Sequence, residues 1–241
     1  MRCGQPAPAS RIERRAVADV ERDRSVRQAR RLYERSGPLR DSPGAAYLER
    51  RAVPLPIAFG ADVRDLLFEH RELVGDEWRT LGYSHRVLFP FVDRTCRIVR
   101  VQLRAIDVNH LGRKVEARGS GGAFATRPIA DVLRARRIAI VEAPIDALSL
   151  ATVGLDALAV GGSYVPEWLV DALASKDVLI AFDNDEPDRL GRRAGDAAAE
   201  RLAEQLWDVG AEAVRCRPSL KDWNDVLCAR GREGVWLELP C

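Results

Sequence analysis

Apolar and polar positions change rhythm once along this 241-residue chain. From Arg11 to Arg35, the apolar positions Ile12, Ala16, Val20, Val26, Ala29 and Leu32 recur at helical spacing among Arg14, Arg15, Arg22, Arg24, Arg27, Arg30 and Arg31. This predicts a charged helix with a thin apolar stripe. Ser10 would cap it after a loose tail, residues 1–10, and Ser36-Gly37-Pro38 would stop it. A solvated helix laced with Glu–Arg pairs and a nucleic-acid-binding arm both fit that pattern. A short helix, Ala45–Arg51, follows the loop Ser42-Pro43-Gly44 and ends before Pro54 and Pro56. Residues 62–80 read as a helix and a loop. A hairpin comes next: Arg86–Val92, a turn at Asp93–Cys96, and Arg97–Arg104. Period two places Val99, Val101 and Leu103 on one face, and Ile98, Arg100, Gln102 and Arg104 on the other. That second face suits either a phosphate backbone or plain solvent.

From Arg137 the rhythm becomes strand–helix alternation. Strands are predicted at 138–141, 157–160, 178–182 and 212–216, and helices at 144–153, 165–174 and 192–207. Repeated β–α units argue for a parallel sheet with helices on both faces. Three of these strands run into acid. The first meets Glu142, the second meets Asp183-Asn184-Asp185, and the last leads past Pro218 to Lys221-Asp222-Trp223-Asn224-Asp225. In open parallel sheets ligands collect beyond the carboxyl ends of the strands. Carboxylates delivered to one edge from several strands would make a metal site. Hard oxygen donors fit Mg²⁺ or Mn²⁺ better than zinc. The three histidines, His70, His85 and His110, all lie in the earlier half, which argues against a histidine-based hydrolase or zinc enzyme.

Composition adds little. Hydrophobic content is 46%, enough for a sizeable core, and formal net charge is only +2, so no overall field announces a partner. Lysine occurs only at 114, 176 and 221, so arginine carries nearly all the positive charge. Arginine suits bidentate phosphate contacts, and a GC-rich genome explains the same bias. The five cysteines form no CxxC pair, which disfavours a zinc knuckle or disulfide framework. No apolar stretch approaches the ~20 residues needed to span a bilayer, and no leader pattern opens the chain. The expectation is a cytoplasmic protein with no membrane contact. The glycines of Arg118-Gly119-Ser120-Gly121-Gly122 fit a flexible loop or a close approach to phosphate.

The set Glu142-Ala-Pro-Ile-Asp146-Ala-Leu-Ser, Gly161-Gly162-Ser163, Asp183-Asn-Asp185 and Lys221-Asp222-Trp223-Asn224-Asp225 resembles a TOPRIM domain, shared by primases, topoisomerases and some nucleases. It is most similar to the primase-like TOPRIM proteins of plasmids, phages and mobile elements, related to the bacterial primase catalytic core. Upstream, Tyr47–Arg51, Arg86-Val-Leu-Phe-Pro90, Arg104 and Lys114 resemble the basic subdomain that precedes that fold. The resemblance implies an α/β protein. It has a tail and basic helix (1–40), a smaller α+β basic subdomain (41–135), a TOPRIM parallel-sheet domain (136–230) and a C-terminal tail (231–241).

It implies Glu142, Asp183 and Asp185 as catalytic residues, with Asp222 joining them as metal ligands for Mg²⁺ or Mn²⁺. Arg100, Arg104, Arg113, Lys114 and Lys221 would face template or incoming nucleotide. The implied activity is nucleotidyl transfer making short primers on single-stranded DNA from nucleoside triphosphates in mobile-element or phage replication, beside a helicase or relaxase. A TOPRIM nuclease and a non-catalytic nucleic-acid-binding module are the competing expectations. The chain departs from the family at Ala143-Pro144, where glycine is usual, at Asn224, where replicative primases place a second aspartate, at Cys96, a glycine position, and in the longer stretch Glu186–Leu190.

Overall fold

The computed structural model describes residues 11–107, 112–186 and 193–240, with side chains from residue 18 onward except at 194. The expected tail at 1–10 with its Ser10 cap, the stripe positions Ile12 and Ala16, Arg14 and Arg15, His110, and most of the lengthened stretch after Glu186 fall outside the described residues or side chains. Two five-stranded sheets organise the rest.

The first half opens with helix α1 (Arg11–Arg35), followed by strand β1 (Gly37–Pro38), α2 (Pro43–Arg50) and α3 (Leu55–Gly60). Ser42 caps α2, its hydroxyl accepting from Ala45 N at 3.1 Å, and Pro43 supplies the pre-set first turn. Strands β2 (Arg64–Val74), β3 (Glu77–Val92), β4 (Ile98–Ala105) and β5 (Val115–Gly119) form an antiparallel meander with β1 at its edge. The expected hairpin is present, Arg86–Val92 pairing with Ile98–Ala105, but its first strand begins earlier, at Glu77, where it pairs with β2. Residues 62–80, read as helix and loop, are the outer two-stranded part of this ribbon, with Glu69 opposite Tyr83 and Leu73 opposite Trp78. Both faces of the segment mix apolar and charged residues (Leu66, Phe68, His70 on one; Leu67, Glu69, Arg71 on the other), so alternation leaves no net period-two signal. The stripe of α1 covers one face of the meander: Ala29, Leu32 and Tyr33 pack with Leu66, Leu88, Val101 and Leu103.

After strand β6 (Phe124–Ala125) and α4 (Ile129–Val132), the second half follows the alternation read from sequence: β7 (Arg137–Val141), α5 (Pro144–Ala151), β8 (Ala157–Ala159), α6 (Glu167–Ala172), β9 (Asp177–Ile180), α7 (Ala194–Asp208), β10 (Glu212–Arg215) and α8 (Trp223–Leu237). The spatial order is β10-β9-β7-β8-β6, parallel except for β6. Helices α6 and α7 cover one face through Leu169, Leu173, Leu202 and Leu206. Helices α5 and α8 cover the other through Leu148, Leu150, Trp223 and Leu227. Residues 231–237, expected as tail, continue α8 across a break at Gly231 (φ 67°), and Val235 is buried beyond it.

One core joins the halves. Val87, Phe89 and Phe91 of β3 pack with Phe124, Val141 and Leu148 of the parallel half, the rings of Phe89 and Phe124 meeting edge to face at 5.6 Å. No described helix is long and apolar enough to cross a membrane.

Candidate active site

The acidic cluster is assembled by strand ends. Buried strand β7 stops at Val141 and presents Glu142, whose carbonyl accepts from Gly161 N at 2.8 Å just past β8. Pro144 then starts α5, so Asp146 falls in its first turn. Beyond β9, the entry to Asp183-Asn184-Asp185 is tied down by Arg215, the last residue of β10. Its guanidinium donates to the carbonyls of Ile180 (3.1 Å), Phe182 (2.8 Å) and Asp183 (3.1 Å). Asn184 N also donates to Lys221 O at 2.8 Å, which ties the Asp-Asn-Asp segment to the Lys-Asp-Trp-Asn-Asp turn. Asp222 caps α8 by accepting from Asp225 N at 2.7 Å. Trp223, fully buried, pins that turn by donating Nε1 to Ala181 O at 3.0 Å.

The carboxylates perturb one another, which reports their convergence. Burial, and then the Asp185 carboxylate, raise the Glu142 pKa. Asp183 is pushed up to about 7 by burial first, then by Glu142, Asp222 and Asp185, while Lys221 pulls it down. Asp146 is raised well above the carboxylate range by burial, then by Asp222 and Asp183. Thus Glu142, Asp183, Asp185, Asp222 and Asp146 lie close enough together to shift one another's titration. Asp146 is 1% exposed and spends one oxygen on Asn224 N at 2.9 Å, so its place is structural. Asn224 is likewise buried and donates to Ser149 Oγ and Arg51 O, both at 2.9 Å, so its amide serves the packing of α8.

Among the described residues, no three His, Cys, Asp or Glu side chains close into a ready ion cage. The donor set nevertheless fits a hard cation. Asp183 Oδ1 is buried without a hydrogen-bond partner, a costly arrangement that a divalent ion would relieve. Gly195, at the start of α7, passes so close that a Cβ there would lie 3.0 Å from Asp183 O and 3.6 Å from Glu142 Oε1. Arg215 and Gly195 were invisible in the sequence because both act on backbone through tertiary contact. An arginine ending an edge strand and a glycine opening a helix are the faint signals available.

The expected basic residues divide. Lys221 is exposed beside the acids. Arg100 is no solvent-facing phosphate contact. It lies over the Phe91 ring (4.8 Å) and donates to Val160 O (3.3 Å) and Gly161 O (3.0 Å), joining the meander to the β8 end. Arg104, half-buried on the same face, keeps a buried Nε without a partner. Arg113 and Lys114 are exposed before β5 and form no ion pair with the acids. The glycine loop lines a groove of about 630 Å³ with Arg22, Arg97 and the exposed ring of Tyr164. That groove adjoins the loop after β8, on the strand-end edge that carries the acids.

Comparison with known proteins bears on the fold. The family model described as "Toprim domain" matches residues 137–233. No match was found among curated proteins. Among solved structures, the chain is similar in fold to the zinc-binding and RNA polymerase domains of the Aquifex aeolicus primase (17% identity, TM-score 0.64, covering 92% of this chain and 62% of that one). It is similar to the DnaG primase catalytic domain bound to single-stranded DNA (16%, TM-score 0.65, 91% and 79%). It also resembles the primase fragment of the bacteriophage T7 primase-helicase (15%, TM-score 0.55, 79% and 72%). The chain thus spans about 62% of the length of the Aquifex chain it matches.

Proposed function

We propose, from the premise that this is a Toprim-domain protein with a primase-like fold, that it is a nucleotidyltransferase making short primers on a single-stranded DNA template. The observation that carries this reading is the buried, partnerless Asp183 Oδ1, in a carboxyl whose pKa burial and then Glu142, Asp222 and Asp185 push up to about 7. Asp183 and Asp185, with Glu142 and Asp222 at hand, would hold Mg²⁺ or Mn²⁺. A divalent cation, when bound, neutralises triphosphate charge and eases deprotonation of an attacking hydroxyl.

The chain's own residues do the rest. Glu142, its pKa raised by burial and then by Asp185, is the group that would exchange a proton with the reacting hydroxyl. Lys221 offers positive charge to the phosphates of a nucleoside triphosphate. Arg104, half-buried on the face of β4 that meets the joint between the sheets, would offer its guanidinium to a template phosphate. The groove of Arg22, Arg97 and Tyr164 would carry the strand onward through phosphate contacts and base stacking. A soluble cytoplasmic enzyme of mobile-element or phage replication, working beside a helicase or relaxase, is the matching setting.

The test is primer synthesis on single-stranded DNA with ribo- or deoxynucleoside triphosphates and Mg²⁺ or Mn²⁺. The wild type should extend primers, and Asp183→Ala/Asp185→Ala should lose activity by at least about a hundredfold. Equal behaviour of the two proteins would refute the assignment. Metal-dependent cleavage without nucleotides would replace it with a nuclease, and metal-independent binding with no synthesis would replace it with a binding module.

A further inference from the structure

We infer that this chain pairs with a second copy of itself through the free edge of β2, joining two meanders into one continuous sheet. Strand β1 covers β2 only at Arg64 and Asp65. No other strand among the described residues pairs with Leu66–Val74 on the side away from β3. A long, open, partly apolar edge is a ready template for another strand.

The sequence of that edge is self-complementary. On one face, Leu67, Glu69, Arg71 and Leu73 follow one another. In an antiparallel pair only residues of the same outward alternation can bond, so the sum of paired residue numbers must be even. Centring the two-fold axis on His70 places Leu67 against the second copy's Leu73 and Glu69 against its Arg71, each twice by symmetry. Moving the axis by one residue sets Glu69 against Glu69, or Arg71 against Arg71, and like charges directly opposite are destabilising. The favoured register also aligns the exposed apolar surface. Leu73 is paired with Trp78 within its own chain, so a row Trp78–Leu73–Leu67 crosses the junction. Leu67 and Leu73 are 52% and 53% exposed in the single chain, and pairing sets each against the other from the second copy. Glu69 and Arg71 already bond each other at 2.9 Å, so the junction would hold a four-charge network.

The test uses the full chain in sedimentation and light scattering, with and without charge reversal. The wild type should be a dimer. Glu69→Arg and Arg71→Glu singly should each weaken dimerisation at least tenfold, and Glu69→Arg/Arg71→Glu together should restore it. Amide hydrogen exchange across Leu66–Val74 should slow as protein concentration rises. A monomer at about 100 µM, a dimer indifferent to both single reversals, or a double variant no better than the singles would each overturn the proposal. Primer synthesis is not read, so this outcome is separate from that of the proposed activity.

Discussion

At the residue scale, Asp183 concentrates the electrostatic strain. Its pKa moves from 3.8 to about 7 on folding, chiefly through burial and the facing carboxylates. Between those values the folded chain binds more protons than the unfolded one, so stability falls as pH rises through that window. Metal-free protein should therefore melt a few degrees lower at pH 8 than at pH 5. Mn²⁺ should raise the melting temperature at pH 8 and have little effect at pH 5, where Asp183 is protonated. Asp183→Asn should flatten both trends. A melting temperature indifferent to pH and to Mn²⁺ in the wild type would contradict the electrostatics described. The acids themselves were legible in sequence because each ends an apolar run. The role of Arg100 was not. Alternation assigns it to a face, and nothing local shows that Phe91 and the β8 end close over that face.

At the element scale, the parallel half was read nearly strand for strand, because strands buried on both faces appear as continuous apolar runs between helical patterns. Strand β2 was lost because its outer half faces solvent on both sides and carries charges on each. The end of α8 was lost because Gly231 interrupts its period before Val235 docks. The contact between β4 and the β8 end rests on Arg100, and two of its hydrogen bonds go to carbonyls from a cation. Arg100→Ala should cost about 1.5–3 kcal/mol in urea unfolding, whereas Arg104→Ala, which breaks no hydrogen bond, should leave stability nearly unchanged and weaken DNA binding. Equal stability losses in the two variants would contradict that division.

At the scale of the whole molecule, the two sheets share the core built on Phe89, Phe91, Phe124 and Leu148. No pattern within either half revealed that junction; only the resemblance of the motifs as a set implied that the two pieces belong to one catalytic core. A shared core predicts a single cooperative transition, with tryptophan fluorescence and far-ultraviolet circular dichroism coincident in urea. Two separated transitions would mean that the halves are independent. The junction also brings Arg100 of the meander to the carbonyls of Val160 and Gly161, beside the strand end that carries Glu142 and the candidate centre. The most direct check of that centre is a crystal of the chain soaked in Mn²⁺ and measured at the manganese edge. An anomalous peak within coordinating distance of Asp183 and Asp185, with Glu142 adjoining, is the result expected. A well-ordered crystal with no peak among these carboxylates, or with manganese bound only elsewhere, would contradict the account.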